Sequence, residues 1–183
     1  MDERARLLAL LTRLSFERRK VVLASGRESD FYIDCKRTAL TAEGHYLIGR
    51  LFFLAIQERC PEVKGVGGLT LGADPLASAV SLTSYLQGKP LSAFIVRKEP
   101  KGHGTGQWLE RPATLEEGAK VAILEDVITT GGSSLKAIER AQAEGFQVAG
   151  CFALVDRLEG GREAIEAKGV SVTALFTRKD FIP

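Results

Sequence analysis

The chain has 183 residues, 45% hydrophobic and 26% charged, with a formal net charge of +2. That length suffices for one domain with a buried core, and so small a positive balance excludes the overall electrostatic footprint of a nucleic-acid binder. The three cysteines, Cys35, Cys60 and Cys151, lack the spacing of a metal or redox motif and suit a reducing compartment, and the longest apolar run, Leu51 to Ile56, is far too short to span a membrane.

The N-terminus carries Asp2 and Glu3 and its leucines are interrupted by Thr12 and Arg13, which does not match a signal peptide, so a soluble cytoplasmic protein is expected. Residues 3–16 place Leu7, Leu10, Leu11 and Leu14 on one face of an opening helix. Residues 20–35 suggest a short irregular strand pair, with Ser25-Gly26-Arg27 as its turn and Phe31-Tyr32-Ile33 extended. From Thr41 to Glu58 a second helix is apolar nearly all round, as suits burial on several sides or against a second subunit.

Strands and helices then alternate. Val63 to Gly67 is a strand, Gly68 to Gly72 a loop, and Asp74-Pro75 an acid cap followed by proline at the first helical position. Leu91 to Val96 is the next strand, Lys98 to Pro112 a long loop, and Lys120 to Leu124 the central strand. Ser133 to Glu144 is its helix, followed by strand Val148 to Val155, helix Gly161 to Lys168 and strand Val170 to Phe176. The expectation is a single α/β domain over residues 1–183. Its central, mainly parallel sheet is flanked by helices in residues 41–183, and residues 1–40 form a small hood. In such sheets ligands sit at the carboxyl ends of the strands, where Gly68–Gly72, Lys98–Pro112, Glu125–Ser133 and Asp156–Arg157 all fall.

The most informative stretch is Val121 to Ser134. An apolar strand is followed at once by two carboxylates, Glu125 and Asp126, expected at its solvent-facing end, then by the turn Thr129-Thr130-Gly131-Gly132-Ser133 and a helix. Such a turn offers backbone N–H groups and a positive helix end to an anion, and its glycines permit close approach. Carboxylates do not attract a phosphate, so the acidic pair suits hydrogen bonds from neighbouring hydroxyls. A phosphate beside a diol is a sugar phosphate. No Lys-Ser/Thr follows the glycines, which excludes a Walker A loop, and the acids precede the turn, which excludes a dinucleotide fingerprint.

The second constellation is Arg97-Lys98-Glu99-Pro100-Lys101-Gly102-His103-Gly104, three cations and a histidine within seven residues, continuing into Thr105-Gly106-Gln107. A solvated surface loop is the plain reading. At the ligand end of a sheet that carries a sugar-phosphate cradle, a glycine-rich cationic loop suits a lid over a diphosphate leaving group. His103 suits a proton donor or a hydrogen-bonding partner of that group.

The first of these stretches resembles the phosphoribosyl diphosphate (PRPP) signature of the type I phosphoribosyltransferases. The second resembles the mobile loop of the orotate-using branch of that family, and Ser25-Gly26-Arg27, Phe31-Tyr32-Ile33-Asp34 and Arg157 agree with it. The resemblance implies transfer of 5-phosphoribose from PRPP to N1 of orotate. It puts Arg97, Lys98, Lys101 and His103 on the diphosphate, with part of that grip coming from the neighbouring subunit of a homodimer through the 98–107 loop. It puts Glu125 and Asp126 on the ribose hydroxyls, and Val127, Ile128, Thr129, Thr130, Gly131, Gly132 and Ser133 along the rest of PRPP, with Thr129 to Ser133 around the 5-phosphate. Thr129 and Arg157 meet orotate, with backbone amides near Tyr32 and Ile33. Lys101, His103, Asp126 and Glu125 carry the chemistry, and Mg2+ arrives with PRPP and not in a protein cage. The chain departs from many bacterial relatives at Ala24 and at Leu71-Gly72, where they carry lysine and Tyr-Lys, and at Glu125, more usually aspartate. The alternatives are a purine-type phosphoribosyltransferase and a non-catalytic regulator of the same fold binding PRPP or RNA.

Overall fold

The computed structural model describes residues 2–19, 21–22, 28–100 and 107–182. Its centre is β8 (Lys120–Ile128), paired in parallel with β5 (Gly65–Leu69) on one side and β9 (Gln147–Asp156) on the other. Beyond them lie β6 (Ser92–Val96) and β10 (Val172–Thr177), also parallel, and the edge strand β7 (Leu109–Glu110), antiparallel to β6. The six-stranded order is β10-β9-β8-β5-β6-β7, and its five parallel strands are the mainly parallel sheet that alternation of strands and helices implies.

Helices cover both faces. On one side α1 (Glu3–Leu14), α3 (Ala42–Arg59) and α4 (Asp74–Leu86) bury Leu7, Leu11, Leu47, Ile48, Phe52, Ile56 and Leu76 against Ala122, Leu124 and Phe152. On the other, α5 (Gly132–Ala143) and α6 (Gly161–Glu166) bury Ala137, Ile138, Ala141 and Ile165 against Val121, Ile123 and Cys151. The two-residue period of a strand therefore sends Val121 and Ile123 into one core and Ala122 and Leu124 into the other, which explains the uninterrupted apolar run. Asp2 caps α1 by accepting from the Ala5 N–H at 2.6 Å, and Thr41 caps α3 by accepting from the Gly44 N–H at 3.0 Å.

The hood is built from two antiparallel pairs. β1 (Phe16–Glu17) pairs with β4 (Tyr32–Ile33), and β2 (Val21–Val22) with β3 (Glu28–Ser29). Ser25-Gly26-Arg27, the expected turn, and Ala24 lie outside the described residues.

Three expectations need correction. β8 does not end at Leu124 but continues to Ile128, because β9 offers a ladder partner as far as Asp156, opposite Ile128. The acidic pair thus lies within a strand. Asp74 is the first residue of α4 and Ala73 the cap, so Asp74 bonds not to the helix N-terminus but to the Thr70 hydroxyl, at 2.6 Å. The long loop contains β7, paired through Leu109 with Val96. Two single-turn helices, α2 (Lys36–Ala39) and α7 (Arg178–Phe181), fall where no periodicity signals them.

Candidate active site

The turn after β8 forms a cradle of about 240 Å³ lined by Glu125, Val127, Ile128, Thr129, Thr130, Gly131, Gly132, Ser133, Ser134 and Lys136. Gly131 caps α5 in the left-handed region, with φ of 82°, a conformation glycine takes at no steric cost. A Cβ there would also meet the carbonyl oxygen of Gly161 at 2.8 Å, so the turn is pressed against the start of α6. The backbone N–H groups at the start of the twelve-residue α5 face the cradle with the positive end of the helix, a built anion site. Lys136, unmarked by any motif, adds a cation one turn into the helix.

A second cleft, of about 220 Å³, adjoins it. Its walls are Lys36, Leu69, Thr70, Leu71, Gly72, Lys98, Glu125, Asp126 and Ser133. Neither space alone reaches the roughly 300–1,000 Å³ of a small-molecule pocket, but the two share Glu125 and Ser133 and together they do. The arrangement is an anion cradle opening into a cleft that carries carboxylates and two lysines.

The two carboxylates are not equivalent. Strand alternation turns Glu125 toward α5, where its Oε2 accepts from the Ser134 hydroxyl at 2.8 Å and its side chain is buried. Burial, then the neighbouring Asp126 charge, push the Glu125 carboxyl up to about 8, so it is largely protonated at neutral pH. Asp126 is half-buried and faces the loop after β5, where a Cβ on Gly72 would meet its Oδ1 at 2.7 Å. Glycine at position 72 therefore brings backbone to the carboxylate. The expected solvent-facing pair is thus one half-buried aspartate and one buried, neutral glutamate, because the prolonged strand carries Glu125 under α5.

Arg157 follows β9 directly and is buried, its Nη2 pairing with Glu159 Oε1 at 2.9 Å. Its guanidinium lies over the Phe31 ring, 5.5 Å from the centroid. Phe31 is fully buried beside Tyr32 and Ile33, so the structure brings Arg157 to the hood segment flagged with it. Glu159, which holds the guanidinium, and Phe31, over which it lies, gave no signal of their own.

The basic loop is rooted in an adjoining cleft lined by Thr70, Asp74, Ile95, Arg97, Lys98, Glu99 and Glu110. Arg97 pairs there with Glu110 at 3.1 Å, while Lys98 borders both clefts. Arg140 of α5 donates to the carbonyl oxygens of Arg97 and Lys98 and lies 3.9 Å from the centroid of the Trp108 ring, touching the two ends of the loop at once. Lys101 and His103 lie outside the described residues. Among those described, no group of three or more His, Cys, Asp or Glu side chains could hold a metal ion.

A family model described as phosphoribosyl transferase domain matches residues 66–176. The orotate phosphoribosyltransferase of Sorangium cellulosum is 60% identical over 182 residues, spanning 100% of this chain and 94% of that protein. Among solved structures, Mycobacterium tuberculosis orotate phosphoribosyltransferase in complex with Fe(III) dicitrate superimposes with a TM-score of 0.85 at 39% identity, covering 100% of both chains. The same enzyme in complex with PRPP gives 0.81 at 38% identity, covering 98% of this chain and 99% of that one.

Proposed function

The chain belongs to the orotate phosphoribosyltransferases, and from that premise we propose how its residues divide the work of transferring 5-phosphoribose from PRPP to N1 of orotate. The products are orotidine 5-phosphate and diphosphate, a step of pyrimidine nucleotide synthesis. The observation that carries the assignment of roles is the continuity of the anion cradle with the cleft of Asp126 and Lys98 through Glu125 and Ser133.

The 5-phosphate sits on the amides of Thr129 to Ser133, with Lys136 nearby. Val127 and Ile128 close the side of the cradle, and the ribose lies over the acidic pair. Asp126 accepts from one ribose hydroxyl, while neutral Glu125 can both donate and accept. As diphosphate departs, the anomeric carbon becomes cationic and negative charge gathers on the leaving oxygens. Asp126 faces the first charge, and Lys98 with Lys101 and His103 faces the second, with Arg97 at the loop root. PRPP arrives as its Mg2+ complex, which lowers the charge of the diphosphate, and a single half-buried Asp126 fits an outer contact to that ion better than a resident cage. Orotate lies toward Thr129 and Arg157, whose fork of donors suits its carboxylate, with the Tyr32–Ile33 backbone beside it.

The whole chain acts as one unit, working as a cytoplasmic homodimer with Mg2+ as the ion and no nucleic-acid partner. The dimer is supported by a shared exposed apolar face, with Tyr46 and Leu54 on α3 and Leu82, Tyr85 and Leu86 on α4 uncovered. Among the described residues no helix is long and apolar enough to cross a membrane. The deciding assay mixes protein, PRPP, Mg2+ and orotate and follows the ultraviolet absorbance of orotate. Loss of absorbance with release of diphosphate supports the reading, whereas turnover with adenine or hypoxanthine and none with orotate would refute it.

A further inference from the structure

The loop after β5 brings no cation to the second cleft, since its residues there are Thr70, Leu71 and Gly72. Of the described loop residues lining that cleft, only Lys98 then carries a positive charge beside Asp126, where a multiply charged diphosphate has to bind. A second ammonium enters from an unexpected direction. Lys36, the first residue of α2, lines the same cleft as Leu71, Gly72, Lys98, Asp126 and Ser133.

Its placement is imposed by the core. The neighbours Cys35, Thr38 and Ala39 are buried, the Cys35 thiol lies 3.8 Å from the Asp126 carbonyl oxygen, and the Thr38 hydroxyl bonds to Ser15 at 2.7 Å. These contacts tie α2 to β8 and leave Lys36 directed at the cleft. The ammonium rests on Asp34 Oδ1 at 2.7 Å, with the lysine side chain 44% exposed. Such a pair exchanges readily, and a four-carbon stem lets the charge swing to a ligand. The contact with Asp34 and then the charge of Asp126 raise Lys36 above its ordinary value, so it remains an ammonium at neutral pH.

We propose that Lys36 is a substrate-binding residue that leaves Asp34 and grips the diphosphate of PRPP, supplying the cation absent from Leu71-Gly72. The proposal rests on the phosphoribosyl-transfer reading. Of the three subsites, the cradle takes the 5-phosphate and the Phe31–Arg157 region takes the base. Lys36 lines the cleft that shares Glu125 and Ser133 with the cradle, and this cleft takes the leaving group carried on the anomeric carbon.

The test uses the full chain with Lys36→Met and Lys36→Arg. Initial rates are measured against PRPP and orotate separately, and inorganic diphosphate with Mg2+ is titrated calorimetrically. Lys36→Met should raise the KM for PRPP and the Kd for diphosphate about tenfold or more, the loss of one charge-assisted contact. The KM for orotate and kcat should stay within about twofold, because the contact is made before as well as during bond breaking. Lys36→Arg should recover most of the loss. Unchanged diphosphate affinity in Lys36→Met, or a loss falling equally on orotate, would overturn the proposal. A wild-type chain inert toward orotate and PRPP would instead refute the functional reading, and the diphosphate titration would still decide the role of Lys36.

Discussion

Replacing Glu125 by Gln tests the least expected feature of the site. Glutamine has the shape of a protonated glutamate, and its carbonyl can accept the 2.8 Å bond from Ser134 as the acid does. The wild-type carboxyl ionises near its ordinary 4.5 in the unfolded chain and at about 8 in the fold. Between those values the folded state holds a proton that the unfolded state has lost. The stabilisation from this proton is therefore fully present below the lower value and is lost as pH rises through the upper one. The slope is at most about 1.4 kcal/mol per pH unit, so from pH 5.5 to 7.5 the wild type should lose up to about 3 kcal/mol relative to Glu125→Gln. For a chain of this length that corresponds to a relative shift of up to about 6–12 °C in Tm. Thermal unfolding of both proteins at pH 5.5, 6.5, 7.5 and 8.5 measures the difference, in which titrating groups remote from Glu125 cancel. The gap should open steadily with pH and level off above about 8. Parallel curves would show that Glu125 ionises normally and that the acidic pair carries two charges.

Arg157→Ala should weaken orotate binding about 30- to 150-fold and PRPP binding far less, as expected for a lost charge-assisted fork. Because Glu159 loses its partner too, the measurement is repeated with Glu159→Gln added, and equal losses for both substrates would make Arg157 structural. Trp108 should change its fluorescence when PRPP and Mg2+ bind, since Arg140 lies over its ring and also holds the loop root, and a silent saturating titration would uncouple the loop from the site. Mixing Lys101→Ala with Asp126→Asn subunits should restore roughly a quarter of wild-type activity if each loop serves the neighbour's site, because about half of the randomly formed dimers are mixed and each has one intact site. Exchange without recovery would show that Lys101 serves its own subunit.

Much of this protein could be read from local chemistry. The buried run Val121–Leu124, the turn Thr129–Ser133 and the following helix were legible because strand burial, glycine geometry and helix-terminal N–H groups are properties of a few adjacent residues. The parallel sheet followed from alternation, and the cationic loop from its charge. Pairing across the sheet was not visible in that way. Only the register of β8 on β9 prolongs the strand through Glu125 and Asp126 and sends them to opposite faces, one neutral beneath α5 and the other toward Gly72. The same holds for residues distant along the chain. Glu159 and Phe31 meet Arg157, Arg140 meets Trp108 and Arg97, and Lys36 shares a cleft with the loop after β5, none at a spacing that a periodic pattern could reveal. Sequence by itself determined the chemistry available and the end of the sheet where it gathers. Tertiary structure decided protonation and orientation, because burial and the proximity of charges exist only once separate elements have packed together.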